Sequence, residues 1–498
     1  MSNETARTNV AASPDVDVAI AGAGFSGLGM AIALKREGKR SFVVLEKAGA
    51  VGGTWRDNRY PGCACDIPSN LYSFSFAPNP NWTRLFPTQA EIWAYLERCA
   101  DAFGVRPHLR FNAAVKRAAW DDAQKLWRIE TADGKMLTAR AFVSGMGGLH
   151  VPHMPELSGL DSFKGQSWHS ARWRDDVPLA GKRVAVIGTG ASAIQIVPEI
   201  APIVAKLDLY QRTPPWIVPK HDRAVSESER ALFKNAPVLQ DLKRRFVYVT
   251  HEMRVPYFMH PPENEGLGAK LALKHIESQI RDPALRAKVT PHYRLGCKRV
   301  LISDNYYPAL ERENVEVITG GASAIAETGV LDAQGKLRAA DVIIYATGFK
   351  PMDLITNVEI SGVGGRSLNS EWAKGPEAYL GTVVSGYPNF FTLMGPNSGL
   401  GHNSMIYMIE SQIAFVMDAL DKLDEKHAPA LDVKPEVQRA FNQEIQEKLE
   451  ASVWGSGCSS WYLSESGKNC TLWPDYTFRF RARTKHVRED DFSFTPAA

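Results

Sequence analysis

Two glycine clusters stand where a phosphate-binding turn needs them. Gly22-x-Gly24-x-x-Gly27, with Ser26 inside it, follows the apolar run VDVAI and opens the helical segment LGMAIALKREG. Such a turn lets a pyrophosphate approach backbone amides at the positive end of a helix. Glu46 closes the next strand-like run, SFVVLE, 24 residues after Gly22, where a carboxylate accepts hydrogen bonds from ribose hydroxyls. The bland alternative, a glycine turn without a ligand, leaves this spacing without a reason. Gly188-x-Gly190-x-x-Ala193 repeats the pattern after RVAVI, with an Ala that the pattern tolerates in third place. The same count of 24 from Gly188 arrives at Arg212, followed by Thr213. A guanidinium there grips a 2′-phosphate that an acid would repel. The first unit therefore reads as a site for FAD and the second as a site for NADPH; the competing reading of Arg212 is a cap on a surface strand.

These turns require parallel strands behind them and helices in front. Strand, glycine turn, helix and strand occur in that order from Val16 and again from Arg183. The fold class is accordingly α/β with two Rossmann-like dinucleotide-binding domains. The expected organisation is a disordered tail over 1–14, a first part of the FAD domain over 15–150, an NADP domain over 151–345 and a return to the FAD domain with a C-terminal segment over 346–498. Charged helical sequence at about 224–290 marks an insertion in the second domain. At 498 residues the chain is too long for one core, which agrees with two domains.

Composition narrows the partners. A net charge of +3 over this length leaves no footprint for nucleic acid or an anionic membrane, and small molecules are the expected ligands. The most apolar stretch, at 18–34, falls short of a bilayer span and carries four glycines. Six scattered Cys show neither metal-site spacing nor the density of a disulfide scaffold, so a reduced, cytoplasmic setting without a metal is expected.

The segment between the two units is rich in aromatics: Phe163-x-Gly165-x-x-x-His169-x-x-x-Trp173. It resembles the fingerprint of the type I Baeyer-Villiger monooxygenases, and a second signature of that family matches at Gly53-x-Trp55-x-x-x-x-Tyr60-Pro61-Gly62-x-x-x-Asp66. One departure is Arg174, where the family commonly carries Pro or Asp. The resemblance implies an enzyme that uses NADPH, O2 and a flavin peroxide to convert ketones to esters or lactones, with sulfoxidation as a side activity. It implies Arg299, in GCKRVLISDNYYP, as the cation beside the reacting oxygen, with Asp66 as its counter-charge and Lys298 near the nicotinamide nucleotide. It implies flavin contacts from Thr54, Trp55 and Tyr72, a phosphate contact from Thr213, and a flavin contact from Asn397, for which an ordinary turn role is equally open. Phe163 and Trp173 are implied as anchors of the domain junction; His169 is read either as coupling NADP-domain position to the site or as packing at a hinge.

Other chemistries share this plan. Disulfide oxidoreductases need a redox pair beside the flavin, and Cys63 and Cys65 sit close to such a place but with one residue between them. N- or S-oxygenating flavin monooxygenases are the alternative function, usually with an aromatic other than Trp at the last fingerprint position. A sensor that holds both dinucleotides without turnover is the third. The C-terminal aromatics Trp454, Trp461, Tyr462 and Trp473 could line a ketone pocket or cover the FAD domain, and cover is the favoured reading for most of them.

Overall fold

The structure, a computed structural model, describes residues 13–261, 266–351, 353, 355 and 358–496. Most of the expected N-terminal tail, residues 1–12, lies outside the described residues.

The run VDVAIA forms the strand Val16–Ala21, whose last four residues are buried. β-branched and small residues buried on both faces are what a central parallel strand requires. It pairs in parallel with Phe42–Leu45 on one side and Met136–Ser144 on the other. Phe390–Thr392 returns late in the chain to pair in parallel with Met136–Ser144, so sequence after residue 346 completes the sheet that carries the first glycine turn. The sheet has eight strands; Val115–Asp121 and Leu126–Thr131 extend it as an antiparallel meander.

Arg183–Ile187 is the counterpart strand of the second unit. Its sheet runs Val315–Thr319, Lys206–Gln211, Arg183–Ile187, Val342–Tyr345, Gln166–His169, and every pairing is parallel. The aromatic segment therefore contributes an edge strand. Among the described residues between Ile217–Val218 and Leu301–Ile302 lie five helices: Glu227–Asn235, Pro237–Glu252, Val255–Met259, Leu267–Gln279 and Pro283–Val289.

The helix after the first turn, Phe25–Glu37, is buried over most of its length because Met405–Glu425 packs across it. Trp454 and Trp473 are buried in the same core, as covering residues would be. One expectation fails. Cys297 and Cys458 form a disulfide across 161 residues, while Cys63, Cys65, Cys99 and Cys470 are free. Spacing along the chain carries no signal for a pair that only tertiary folding brings together. Among the described residues no helix is long and apolar enough to cross a membrane, and no cluster of His, Cys, Asp or Glu is arranged to hold a metal.

Candidate active site

A cavity of about 1430 Å³ runs from the first glycine turn to the second and is lined from both sheets. It exceeds the roughly 300–1,000 Å³ of a pocket for one small ligand.

At its first end the three glycines do different work. Gly22 has φ +94°, and a Cβ there would lie 2.9 Å from the Gly145 carbonyl oxygen. Gly27 is a packing requirement, since its Cβ would fall 1.8 Å from the Gly22 oxygen, and it does not line the cavity. Gly24 and Ser26 do line it, and a Cβ on Gly24 would meet nothing closer than 3.7 Å. That is the open approach a pyrophosphate needs. Glu46 is nearly fully buried at the cavity edge and accepts from the amides of Ala23 at 2.7 Å and Ala48 at 2.9 Å and from Arg56 at 3.0 Å. Its carboxylate is thereby fixed in place.

The second end repeats the device. Gly188 has φ +111° with the Ala346 oxygen 2.4 Å from its hypothetical Cβ, and Gly190 faces open space. Ala193 is buried and off the cavity wall. Arg212, Thr213 and Lys298 gather here on the wall. Among the described residues neither Arg212 nor Lys298 has a carboxylate in ion-pair range, and the Lys298 ammonium sits 4.9 Å from the Tyr293 ring centroid. Burial and then the Arg212 charge hold Lys298 below the ordinary lysine range. Two cations without an acid suit a phosphate dianion.

Between the two ends, Arg299 donates to the Asp66 carboxylate and, at 3.3 Å, to the Leu400 carbonyl. The two side chains are 30% and 34% exposed, and both line the cavity. Burial pushes Asp66 up, but the Arg299 guanidinium outweighs it and holds the carboxyl below its usual range. Asp66 in turn, against burial, raises Arg299 further. The pair is ionised at any working pH. Lys220 adds to the positive field at Asp66.

Thr54 and Trp55 follow Gly53, whose own Cβ would lie 3.1 Å from Gly24, so this segment backs directly onto the first turn. The Trp55 indole donates to the Tyr72 hydroxyl at 3.0 Å, and Thr54, Trp55 and Tyr72 all line the cavity. The rest of the second signature joins the two sheets. The Tyr60 hydroxyl donates to Gln195 at 3.1 Å, Gln195 donates to the Ala64 carbonyl at 2.9 Å, and a Cβ on Gly62 would strike the Gln195 oxygen at 2.6 Å.

The linker fingerprint lies off the cavity. Gly165 permits close approach to the Asp341 oxygen, 2.5 Å from a hypothetical Cβ. Phe163 packs against the cluster around Ile325, and Trp173 meets Trp168 edge-on at 5.7 Å. His169 is buried; burial pushes its imidazole down to about 4, so the ring is neutral near pH 7. It packs edge-on against Phe349, which lines the cavity. His169 thus touches the site through one intervening ring.

Asn397, for which a flavin contact and a turn role were both open, sits off the cavity wall at φ +54°, and its amide donates to the Asn469 carbonyl at 2.8 Å and the Leu472 carbonyl at 3.0 Å. A buried amide takes the partners nearest to it, and here these belong to the C-terminal segment. Tyr462 reads from the sequence as pocket lining or cover, not as a partner of Arg299. Its phenol abuts Arg299, and neighbouring Trp461 lines the cavity, so this part of the aromatic segment does more than cover. Nothing in the spacing announces a contact across 163 residues.

Cys63 and Cys65 both line the cavity as free thiols. Burial pushes Cys63 up to about 11 and holds Cys65 well above the ordinary thiol range, which withholds the thiolate that a redox pair needs.

Residues 19–234 match the family described as pyridine nucleotide-disulphide oxidoreductase. Over 97% of its length the chain is 53% identical to a Baeyer-Villiger monooxygenase of Pseudomonas aeruginosa, covering 92% of that protein. It is 51% identical to a protein of the same name from Streptomyces coelicolor, over 95% of this chain and 91% of the other. Among solved structures, cyclohexanone monooxygenase from Rhodococcus sp. Phi1 bound to NADP+ superposes with a TM-score of 0.87 at 29% identity, over 97% of this chain and 100% of that one. An oxidized steroid monooxygenase bound to NADP gives 0.86 at 31% identity, with 97% and 100% covered.

Proposed function

The chain belongs to the Baeyer-Villiger monooxygenases, and on that footing we propose that a ketone is converted to an ester or lactone at the Asp66–Arg299 part of the cavity, with NADPH and O2 consumed. The observation that carries this reading is the ion pair itself, which faces the cavity between two glycine turns.

We assign FAD to Gly22, Gly24, Ser26 and Glu46, with Thr54, Trp55 and Tyr72 along the same wall. NADPH falls to Gly188, Gly190, Arg212, Thr213 and Lys298. Gly27 and Ala193 serve these sites by packing. The open approach at Gly24 and Gly190 and the unpaired cations at the second end support both assignments. Bound FAD, reduced by NADPH, supplies the activation of O2.

The protein's own part is electrostatic. Arg299 remains protonated and stabilises negative charge developing on oxygen beside it. Asp66 and the Leu400 carbonyl fix the guanidinium in the cavity wall, so little reorientation is needed as that charge appears. Tyr462 lies beside Arg299. His169, neutral and packed on Phe349, positions the Gly348–Phe349 turn and moves no proton.

We assign residues 15–150 and 346–498 to the FAD-binding part and 151–345 to the NADP-binding part; the pairing of Phe390–Thr392 with Met136–Ser144 supports the return. A cytoplasmic setting accords with the NADPH requirement and the near-balanced charge; the Cys297–Cys458 bridge is the feature that opposes it.

A panel of linear and cyclic ketones, with thioethers and amines beside them, tests the reading. The expected result is ketone-dependent NADPH consumption with ester or lactone found by mass. Consumption with thioethers or amines alone, or none with any substrate, overturns it.

A further inference from the structure

Helix Pro237–Glu252 is amphipathic in the inverted sense. Its inward face, apart from buried Val247, is polar: Gln240 donates to Asn70 at 2.9 Å and to the Asn79 carbonyl at 2.8 Å, and Arg244 donates to the Asn70 carbonyl at 2.9 Å and the Ser73 carbonyl at 3.0 Å. On the same side the Tyr248 hydroxyl meets Thr477 at 3.0 Å, and Glu252 accepts from Asn403 at 2.6 Å. Its outward face carries Val238, Leu242, Phe246, Val249 and, just past the helix end, Met253, each 53–71% exposed, with Leu239 beside them. A surface helix ordinarily turns such a stripe to its own core. Here the core has been served by the polar face, and the apolar one is left for something outside the chain.

We propose that this stripe is the interface of a symmetric dimer, with a second copy of the same helix laid antiparallel on it. The first argument is area. The six side chains together expose on the order of 600 Å² of mostly apolar surface, close to the roughly 800 Å² that each partner buries in a standard interface and at the upper end of what a monomer leaves bare. The second is self-complementarity, which a two-fold interface demands. Counted from Phe246, the apolar positions lie eight and four residues before and three and seven after. Reversing the helix superposes the stripe on itself: Val238 meets Met253 of the partner subunit, Leu242 meets the partner's Val249, and Phe246 lies beside the axis. The third is charge. Arg245 is held by Asp241 at 2.8 Å and the Lys243 ammonium lies 5.9 Å from the Phe246 ring centroid, so these two cations engage groups of their own helix. A lipid surface would call for cations free to meet headgroups.

Sedimentation velocity on the full-length, flavin-loaded enzyme tests this. The wild type is expected to be a dimer, and Phe246→Glu to raise the dissociation constant by roughly a hundredfold or more, since a central aromatic dominates such an interface. Flavin content and ketone-dependent NADPH consumption should not change, because Phe246 is exposed and does not line the cavity. Under mild oxidation Phe246→Cys chains should cross-link in pairs beyond any wild-type background. Met253→Cys chains, separated by roughly 20 Å across the axis at 1.5 Å per residue, should not. A monomeric wild type overturns the proposal, as does a dimer indifferent to Phe246→Glu. So does a monomer that sediments with phosphatidylglycerol vesicles through Phe246, which would give the stripe to a membrane.

Discussion

Replacing Arg299 by Ala removes two bonds, to Asp66 and to the Leu400 carbonyl, and its effects on stability and on catalysis differ in size. In a sealed interior, orphaning one member of an ion pair costs about 3–5 kcal/mol. These side chains are 34% and 30% open to the cavity, so solvent screening brings the expected loss down to about 1–2 kcal/mol, a few degrees in Tm at most. The sign with pH is set by Asp66. Its folded carboxyl lies below the usual range, so the pair stabilises the protein above the unfolded value near 3.8 and that stabilisation is lost as pH falls through the folded value. In the variant, burial is opposed only by Lys220 and a backbone hydrogen bond, so most of this contribution is lost. The catalytic effect is larger: removing one preorganised charge lowers turnover by about 10²–10³. The assay pairs anaerobic bleaching of the flavin absorbance by NADPH with ester formed in air. Arg299→Ala should bleach and form no ester, while Arg299→Lys, which keeps charge but not the two-pronged geometry, should recover part of the product. Normal ester yield from Arg299→Ala refutes the reasoning. Equal failure of the Lys and Ala variants would show that charge is not what the site uses.

Arg212→Ala should raise KM for NADPH by about 10–100-fold, the worth of a charge-assisted hydrogen bond, and leave KM for NADH nearly unchanged; the ratio of the two is the measurement. Gly24→Ala meets no backbone within 3.5 Å and should fold but lose FAD affinity, whereas Gly27→Ala collides with the Gly22 oxygen at 1.8 Å and should fail to fold; flavin content and thermal melts separate them. His169 is held down to about 4 by burial, so its contribution is complete above the unfolded value of 6.5 and is lost as pH falls toward 4, by about 3 kcal/mol in total. Urea titrations at pH 7.5 and 5 should show a smaller difference in His169→Gln than in the wild type; His251, also near 4, supplies the slope that remains.

The two dinucleotide units were legible because each is local. A strand, a turn of defined φ, a helix and an acid or base 24 residues on lie within a short stretch of chain, and the glycines at 22 and 188 carry the positive φ their turns require. The Asp66–Arg299 pair joins residues 233 apart and was reached through resemblance; a lone Lys-Arg pair is by itself more often a solvated face. The helices of the insertion were legible as helices, but their outward faces were not, because periodicity shows that Pro237–Glu252 has an apolar stripe and says nothing of which way it turns.

What the residue order determined by itself was the chemistry of binding: parallel strands, amide-lined turns and the sign of the charge at the end of each following strand, all set by sterics and spacing within some thirty residues. Only the tertiary structure decided which distant groups share the cavity. Tyr462 abuts Arg299, Asn397 turns to the C-terminal segment, and Cys297 finds Cys458, because each contact spans many tens of residues and is selected by packing that no local pattern encodes.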